Sequence, residues 1–228
     1  MGICNIIGCG ESGQRWDGTG DSIGVNDCWK FGHPTDYLMV LDPPGRFSPD
    51  RRKIIQNSKP KHFITDSKAW LRLFYDSVKV DRIKPHPDYK EVHCTNGQGL
   101  IHYRFSTWKG KIMPNQISYW HTSPFPAISL AYLLGYKEIV LWGVDFVNHK
   151  SWNPQRKNEL AFELQGYKEL VKALDEVGVK VYLGAEGSML GEFLEIRRLD
   201  GSWQKPMTQE EKNWFEKKQG ETSLQMLT

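Results

Sequence analysis

Apolar residues in this chain come in short unbroken blocks separated by glycine, proline and acidic positions. Ile3 to Gly8 forms one block, and Ser22 to Val25, closed by Asn26-Asp27, forms a second. The clearest is DYLMVLDPP, Asp36 to Pro44, which Asp42 and two prolines end. Blocks that are apolar throughout, rather than alternating, predict strands of a sheet covered on both faces. His62 to Thr65 predicts a further short strand. From Tyr75 to Gln116 the pattern is irregular, with Pro85, Pro87 and a TNGQG turn, and predicts loops and short strands.

The segment SPFPAISLAYLLGYKEIVLWGVDF predicts a helix from about Phe125 to Leu134, a stop at Gly135 and a buried strand Glu138 to Trp142. That strand ends at Gly143-Val144-Asp145. Pro124 and Pro126 flank the helix start, where proline is tolerated. Leu160, Leu164, Tyr167, Leu170, Val171 and Leu174 recur at helical spacing and predict an amphipathic helix over Asn158 to Val177. Gly178 ends it and VKVYLG supplies the next strand. Gln209 to Lys218 predicts a small terminal helix. Strands alternating with helices predict an α/β fold: one Rossmann-like domain over residues 1–228, with a mostly parallel sheet and helices on both faces.

At 228 residues and 26.4 kDa the chain is long enough to bury a sizeable core. Net charge is only +3, yet residues 46–90 hold 12 Lys/Arg against 5 Asp, so the remainder sums to −4. The region around 46–116 therefore reads as a less regular basic insertion, suited to a polyanion or a phosphorylated ligand, or else a solvated face. Within it Arg51, Arg52, Lys53, Lys59 and Lys61 are the candidate acceptor contacts. Trp29, Trp108, Trp120 and Trp152 sit beside polar or turn residues, where rings can stack on sugars or bases. Cys4, Cys9, Cys28 and Cys94 lack the paired spacings of a zinc site and read as reduced thiols. Met1 to Cys9 has no signal-peptide pattern, and no apolar run approaches the roughly 20 residues a bilayer requires. The expected compartment is cytoplasmic; the sequence leaves the oligomeric state open.

In open α/β sheets ligands sit beyond the carboxyl ends of the strands. Three features fall there: Gly8-Cys9-Gly10-Glu11-Ser12, Asn26-Asp27 and Asp42-Pro43. Glycines after the first strand let main-chain N–H groups approach a phosphate, and a following helix would add its positive end. A tight turn accounts for the same glycines. The spacing is neither GxGxxG nor a Walker loop.

The blocks IIGCGES, IGVNDCW, YLMVLDP, TSPFPAISLAYLLGYKEIVLWGVDF and VKVYLG together resemble the bacterial sialyltransferases of glycosyltransferase family 42. They also resemble their relatives, the DUF115 and archaeal hydroxymethylpterin pyrophosphokinase-like proteins. The resemblance spans Ile3 to Asp42 and Thr122 to Gly184. It implies a GT-A-like Rossmann sheet that holds a nucleotide, CMP in the sialyltransferases. It implies that Gly8, Cys9, Gly10, Glu11 and Ser12 face the nucleotide phosphate and that Asn26 meets base or ribose. Asp42 would add a polar contact, and Thr122 and Ser123 would meet the nucleotide from the later helix. Gly143 would pass close to it while Asp145 orients that loop. Two positions depart: Cys9 stands where the sialyltransferases carry asparagine, and the lid bearing their catalytic histidine has no counterpart.

Glycosyl transfer needs a base for the acceptor hydroxyl and donors or positive charge for the departing phosphate. His149, four residues past Asp145, is the first candidate base, followed by His121 and Asp42. Arg15 and Lys150 are candidates for the phosphate, and Tyr119 and Tyr136 for assisting it. No carboxylate pattern calls for a metal, and none is expected. The resemblance thus implies a transferase that moves a sugar from a CMP- or UDP-linked nucleotide-sugar to a hydroxyl. The acceptor would be a glycan or DNA, such as hydroxymethylated viral (phage) DNA, and no cofactor beyond the donor is expected. Pyrophosphoryl transfer from ATP to a pterin-like alcohol and a non-catalytic nucleotide-binding module are the alternatives.

Overall fold

The computed structural model describes residues 2–74, 90–95, 100–146, 157–197 and 203–204. Among the described residues eleven strands form one sheet. In chain order they are β1 (Ile3–Ile7), β2 (Asp21–Val25), β3 (Tyr37–Met39), β4 (His62–Thr65), β5 (Lys90–Thr95) and β6 (Leu100–Thr107). Then follow β7 (Gln116–Tyr119), β8 (Glu138–Trp142), β9 (Lys180–Leu183), β10 (Ile196–Arg197) and β11 (Trp203–Gln204). Their order across the sheet is β11-β10-β9-β8-β1-β2-β3-β4-β5-β6-β7. The pairings from β10 through to β4 are parallel, as are β6 and β7, whereas β5 runs antiparallel to both neighbours and β11 is antiparallel to β10. The fold is α/β with a mostly parallel sheet. From β1 the chain first builds towards β4 and later returns to build β8 to β10 on the other side. The β1/β8 boundary is therefore the topological switch point.

The helices are α1 (Pro49–Asn57), α2 (Lys68–Phe74), α3 (Pro124–Leu133) and α4 (Lys157–Glu176). Strand side chains alternate between two faces. Cys4, Ile6, Ile23, Val25, Ile139 and Leu141 join the core under α3 and α4. Ile7, Leu38, Phe63, Val140 and Trp142 join a second core with Ile55 of α1 and Trp70 of α2. Two covered faces explain why the strand blocks are apolar throughout. Phe125 to Ala131 of α3 are all buried, and α3 packs on β1, β2 and β7. The sheet must therefore curl for β7, at its far edge, to return towards the strands at its centre. Ser129 Oγ accepts the Ser118 amide at 2.8 Å and pins α3 to β7.

Gly166 lies within α4, where glycine ordinarily weakens a helix. The Trp120 ring fills the space a side chain would need, with Nε1 2.5 Å from an ideal Cβ.

Among the described residues, positions 46–116 carry α1, β4, α2, β5 and β6. One expectation differs from what is observed. No α-helix follows β1; the glycine stretch turns instead through a 3-10 segment, Glu11–Arg15. The terminal helix expected at Gln209 to Lys218 lies outside the described residues. No helix among the described residues is long and apolar enough to cross a membrane.

Candidate functional site

The carboxyl ends of β8, β1 and β2 meet in a floor made mostly of backbone. Gly8 follows β1, Gly143 follows β8, and the two loops are in direct contact. The Gly8 amide donates to Trp142 O at 2.6 Å, and the Gly10 amide to Gly143 O at 2.8 Å. A Cβ on Gly8 would fall inside the Gly143 carbonyl, and one on Gly143 would lie 2.8 Å from Gly8 O. Gly143 also has φ +67, the left-handed region that favours glycine. Gly10 has an ordinary φ of −73, so it is glycine for space alone: a Cβ there would strike Asp145 Oδ2.

Asp145 is buried and latches the two loops. Its carboxylate accepts the Ser12 amide at 2.9 Å and the Ser12 hydroxyl, while Ser12 Oγ accepts the Gly143 amide at 2.8 Å. Ser188 Oγ donates to Val144 O at 2.6 Å, and the Met189 amide donates to Asp145 O at 2.9 Å, holding the far side of the loop. Three of the five amides from Gly8 to Ser12 are thus committed within the protein. Among the described residues, Cys9 and Glu11 keep N–H groups without a protein acceptor. The stretch is a packed turn in which the Cys9 and Glu11 amides are to spare.

Asn26 caps β2 in the left-handed region, φ 52, which asparagine tolerates better than most residues. Its Nδ2 reaches Ser123 Oγ at 3.4 Å, joining the β2 end to the start of α3. Asn26 Oδ1 is buried and has no partner among the described residues. A buried carbonyl left unpaired costs about 1–3 kcal/mol, so this atom is poised for a donor that the described residues do not supply. Beside Ser123, the Thr122 hydroxyl lies 2.7 Å from that of Tyr167, whose pKa burial pushes well up.

Asp27, next along, is buried and forms a cluster that sequence reasoning had not assembled. Arg51 Nε and Nη2 both donate to Asp27 Oδ1, at 2.9 and 2.6 Å, and the guanidinium lies 5.1 Å from the Phe47 ring centre. Burial works to raise the Asp27 carboxyl, but the hydrogen bond and charge of Arg51 outweigh it and hold it below the usual carboxylate range. Cys9 Sγ donates to Val25 O at 3.3 Å and to Asp27 Oδ1 at 3.4 Å. Burial first, and then the Asp27 charge, push the Cys9 thiol up to about 12, so it is a neutral donor and not a nucleophile. Lys30 Nζ donates to Cys9 O at 2.6 Å.

The structure brings together Gly8, Cys9, Gly10, Ser12, Gly143 and Asp145, and joins Asn26 to Ser123. Glu11 is exposed on the same turn, as is Arg15 at its end. Asp42 is exposed beyond β3, its carbonyl taking the Trp70 indole N–H at 2.7 Å. His121 follows β7; its side chain is 59% exposed and Nδ1 lies 3.5 Å from Oε1 of buried Glu163. The ring rests against Trp120 and Phe162. Tyr119 ends β7, its pKa raised by burial and then by Asp42, Asp66 and Glu163. Tyr136 precedes β8 at the opposite end of the sheet, its pKa raised by burial and then by Asp21. His149, Lys150 and Trp152 lie outside the described residues. Trp108 is a core residue, its indole N–H on Glu169 at 3.2 Å, and not a stacking platform.

The five basic residues do not form one patch. Helix α1 runs from the carboxyl end of β3 back to the start of β4, separating Arg51 from Lys61. Arg51 bonds to Asp27 through Nε and Nη2, and Lys61 Nζ bonds to Asp36 Oδ1 at 2.6 Å at the amino end of the sheet. Arg52 reaches Phe47 O at 3.4 Å, and Lys53 and Lys59 are exposed. A cavity of about 510 Å³ lies away from the strand ends, near Ile3, Asn5, Trp16 and Trp142. Its polar groups are satisfied within the protein: Trp142 Nε1 donates to Asn5 Oδ1 at 3.0 Å, and Arg197 pairs with Glu138 at 2.8 Å. No group of three or more His, Cys, Asp or Glu placed to hold a metal occurs among the described residues.

No protein-family model matches the sequence, and no curated protein matches it. Among solved structures the chain is similar to the sialyltransferase CstII from Campylobacter jejuni in complex with the substrate analogue CMP-3FNeuAc. Identity is 17%, coverage 91% of this chain and 92% of that one, and the TM-score 0.45. It is similar also to CST-II in complex with a trisaccharide acceptor and CMP, at 18% identity, 90% and 91% coverage and TM-score 0.44. The monofunctional alpha-2,3-sialyltransferase Cst-I from Campylobacter jejuni follows at 13% identity, 92% and 86% coverage and TM-score 0.36. Of the groups that the sequence resembles, the sialyltransferases are the one represented by these structures.

Proposed function

We propose that the chain is a nucleotide-sugar-dependent glycosyltransferase whose nucleotide lies across the carboxyl ends of β8, β1 and β2. The observation that carries the nucleotide is Asn26: a left-handed residue at a strand end, joined to Ser123, with a buried carbonyl that has no partner. An exocyclic amine of a base or a ribose hydroxyl would satisfy it. The glycine floor beside it, at the topological switch point, has no side chains to obstruct a ring. The reaction type rests on the resemblance of the sequence blocks to glycosyltransferase family 42.

His121 is the base in this reading. Glu163 at 3.5 Å from Nδ1 orients the imidazole and leaves Nε2 to take the acceptor proton. A glycan acceptor is favoured over DNA, because Arg51 and Lys61 are paired to carboxylates at opposite ends of the sheet.

Thermal shifts with CMP, UDP, GDP and ATP test the reading. Stabilisation follows ligand concentration over Kd, about 2.7 kcal/mol at a hundredfold excess. CMP or UDP should raise Tm in the wild type, and Asn26→Ala should abolish the rise. No shift with any of the four, or a shift with ATP alone, would overturn it.

A further inference from the structure

The resemblance assigns the donor phosphate to the glycine turn, yet three of that turn's five amides are already bonded within the protein. The anion therefore needs other partners, and the fold supplies two cations on either side of Cys9. Lys30 leaves the 3-10 segment Cys28–Phe31 and reaches back over the turn to the Cys9 carbonyl at 2.6 Å. It has no carboxylate partner among the described residues. Arg51 comes from α1 and is fixed by two bonds from Nε and Nη2 to one oxygen of Asp27. Its side chain is still 41% exposed, its guanidinium also meets the Cys9 side chain, and among the described residues Nη1 takes no part in the bonds to Asp27. A guanidinium clamped on one edge and open on the other is preorganised for an oxyanion. Asp27, which holds Arg51, immediately follows Asn26 in the chain.

We propose that Lys30 and Nη1 of Arg51, together with the Cys9 and Glu11 amides, hold the phosphate of a nucleotide ligand. The proposal rests on the reading of this crevice as a nucleotide site. Asp27 acts as the positioning residue for Arg51. The Cys9 thiol donates to Asp27 Oδ1 at 3.4 Å. The exposed Glu11 carboxylate is the opposing charge on the same turn, and Lys30 offsets it.

Calorimetric titration of the full chain with CMP and UDP, and with cytidine and uridine, tests this. Lys30 is exposed, so Lys30→Gln leaves the fold intact; Arg51→Lys keeps a cation beside Asp27, and circular dichroism checks that it folds. Each variant should weaken CMP and UDP binding about tenfold, the worth of one charge-assisted hydrogen bond, and leave cytidine and uridine unchanged. The wild-type CMP affinity should also fall with added salt more steeply than that of Lys30→Gln. Variants that bind CMP and UDP within twofold of wild type would overturn the phosphate assignment and leave the nucleotide site standing. A wild type that binds nucleosides as tightly as nucleotides would do the same. A wild type that binds neither would overturn both.

Discussion

Gly10→Ala is the substitution on which the account of the glycine turn depends most directly. At φ −73 alanine is conformationally acceptable, and by itself the change would stabilise by roughly 0.4–1 kcal/mol through the unfolded chain. Space decides the sign. The new Cβ would collide with Asp145 Oδ2 and lie 2.9 Å from Gly143 O. Moving the carboxylate by about 1 Å breaks its bond to the Ser12 amide, and a hydrogen bond to a charged group is worth about 1.5–3 kcal/mol. Crowding the Gly143 carbonyl adds an overpacking cost of about 1–3 kcal/mol. The balance is a destabilisation of about 3 kcal/mol, read by urea unfolding. A double-mutant cycle isolates the cause. In an Asp145→Ser background the first collision is gone and only the Gly143 contact remains, so Gly10→Ala should cost about 1 kcal/mol. A coupling of about 2 kcal/mol is expected. Gly10→Ala within 1 kcal/mol of wild type, or the same cost in both backgrounds, would refute the latch.

Gly166→Ala should destabilise by about 1–3 kcal/mol in urea unfolding, because the Trp120 ring must move, whereas Gly→Ala within a helix ordinarily stabilises by about 1 kcal/mol. Asp27 titrates below its unfolded value of about 3.9, so its contribution is complete above that pH and is lost as pH falls through the lower folded value. Arg51→Met should remove that contribution, and stability measured from pH 6 down to pH 2 should fall less steeply than in the wild type. With its thiol pushed up to about 12, Cys9 in the native protein at pH 8 should be alkylated at least about 100-fold more slowly than a free thiol, read by peptide mass spectrometry.

The strands were legible because each apolar block has a single outcome when both faces of a sheet are covered. Glu138–Trp142 and His62–Thr65 fall where the blocks place them, and α3 and α4 lie within one residue of the expected bounds at each end. In the middle of the chain short strands were expected, but neither their bounds nor their pairing was legible. β5 and β6 are held by antiparallel pairing with each other and with β4, and ladder bonds between main chains leave no mark on side-chain pattern. The 3-10 segment after β1 was missed because glycines at a strand end suit a helix start and a tight turn equally.

The site divides in the same way. Gly8, Gly10 and Gly143 stand out in the sequence as glycines, but their spacing cannot say whether bare backbone is kept for a ligand or for another loop. Here it serves the other loop: Gly8 meets Gly143, and Gly10 leaves room for Asp145. The partner of Gly10 lies 135 residues away, so the contact exists only after β8 is laid against β1. The Asp27–Arg51 pair was hidden for a related reason. Arg51 sits in a basic run, and in sequence each residue of that run looks alike. The geometry of α1 separates them, turning Arg51 towards the strand ends and leaving Lys61 at the far edge. Once loop packing accounts for the glycines, the residues left for recognition are those whose capacity the protein does not use. Among the described residues Asn26 Oδ1 and Arg51 Nη1 are two such atoms, one just after β2 and one on α1, and Asp27, next to Asn26 in the chain, holds Arg51 through Nε and Nη2.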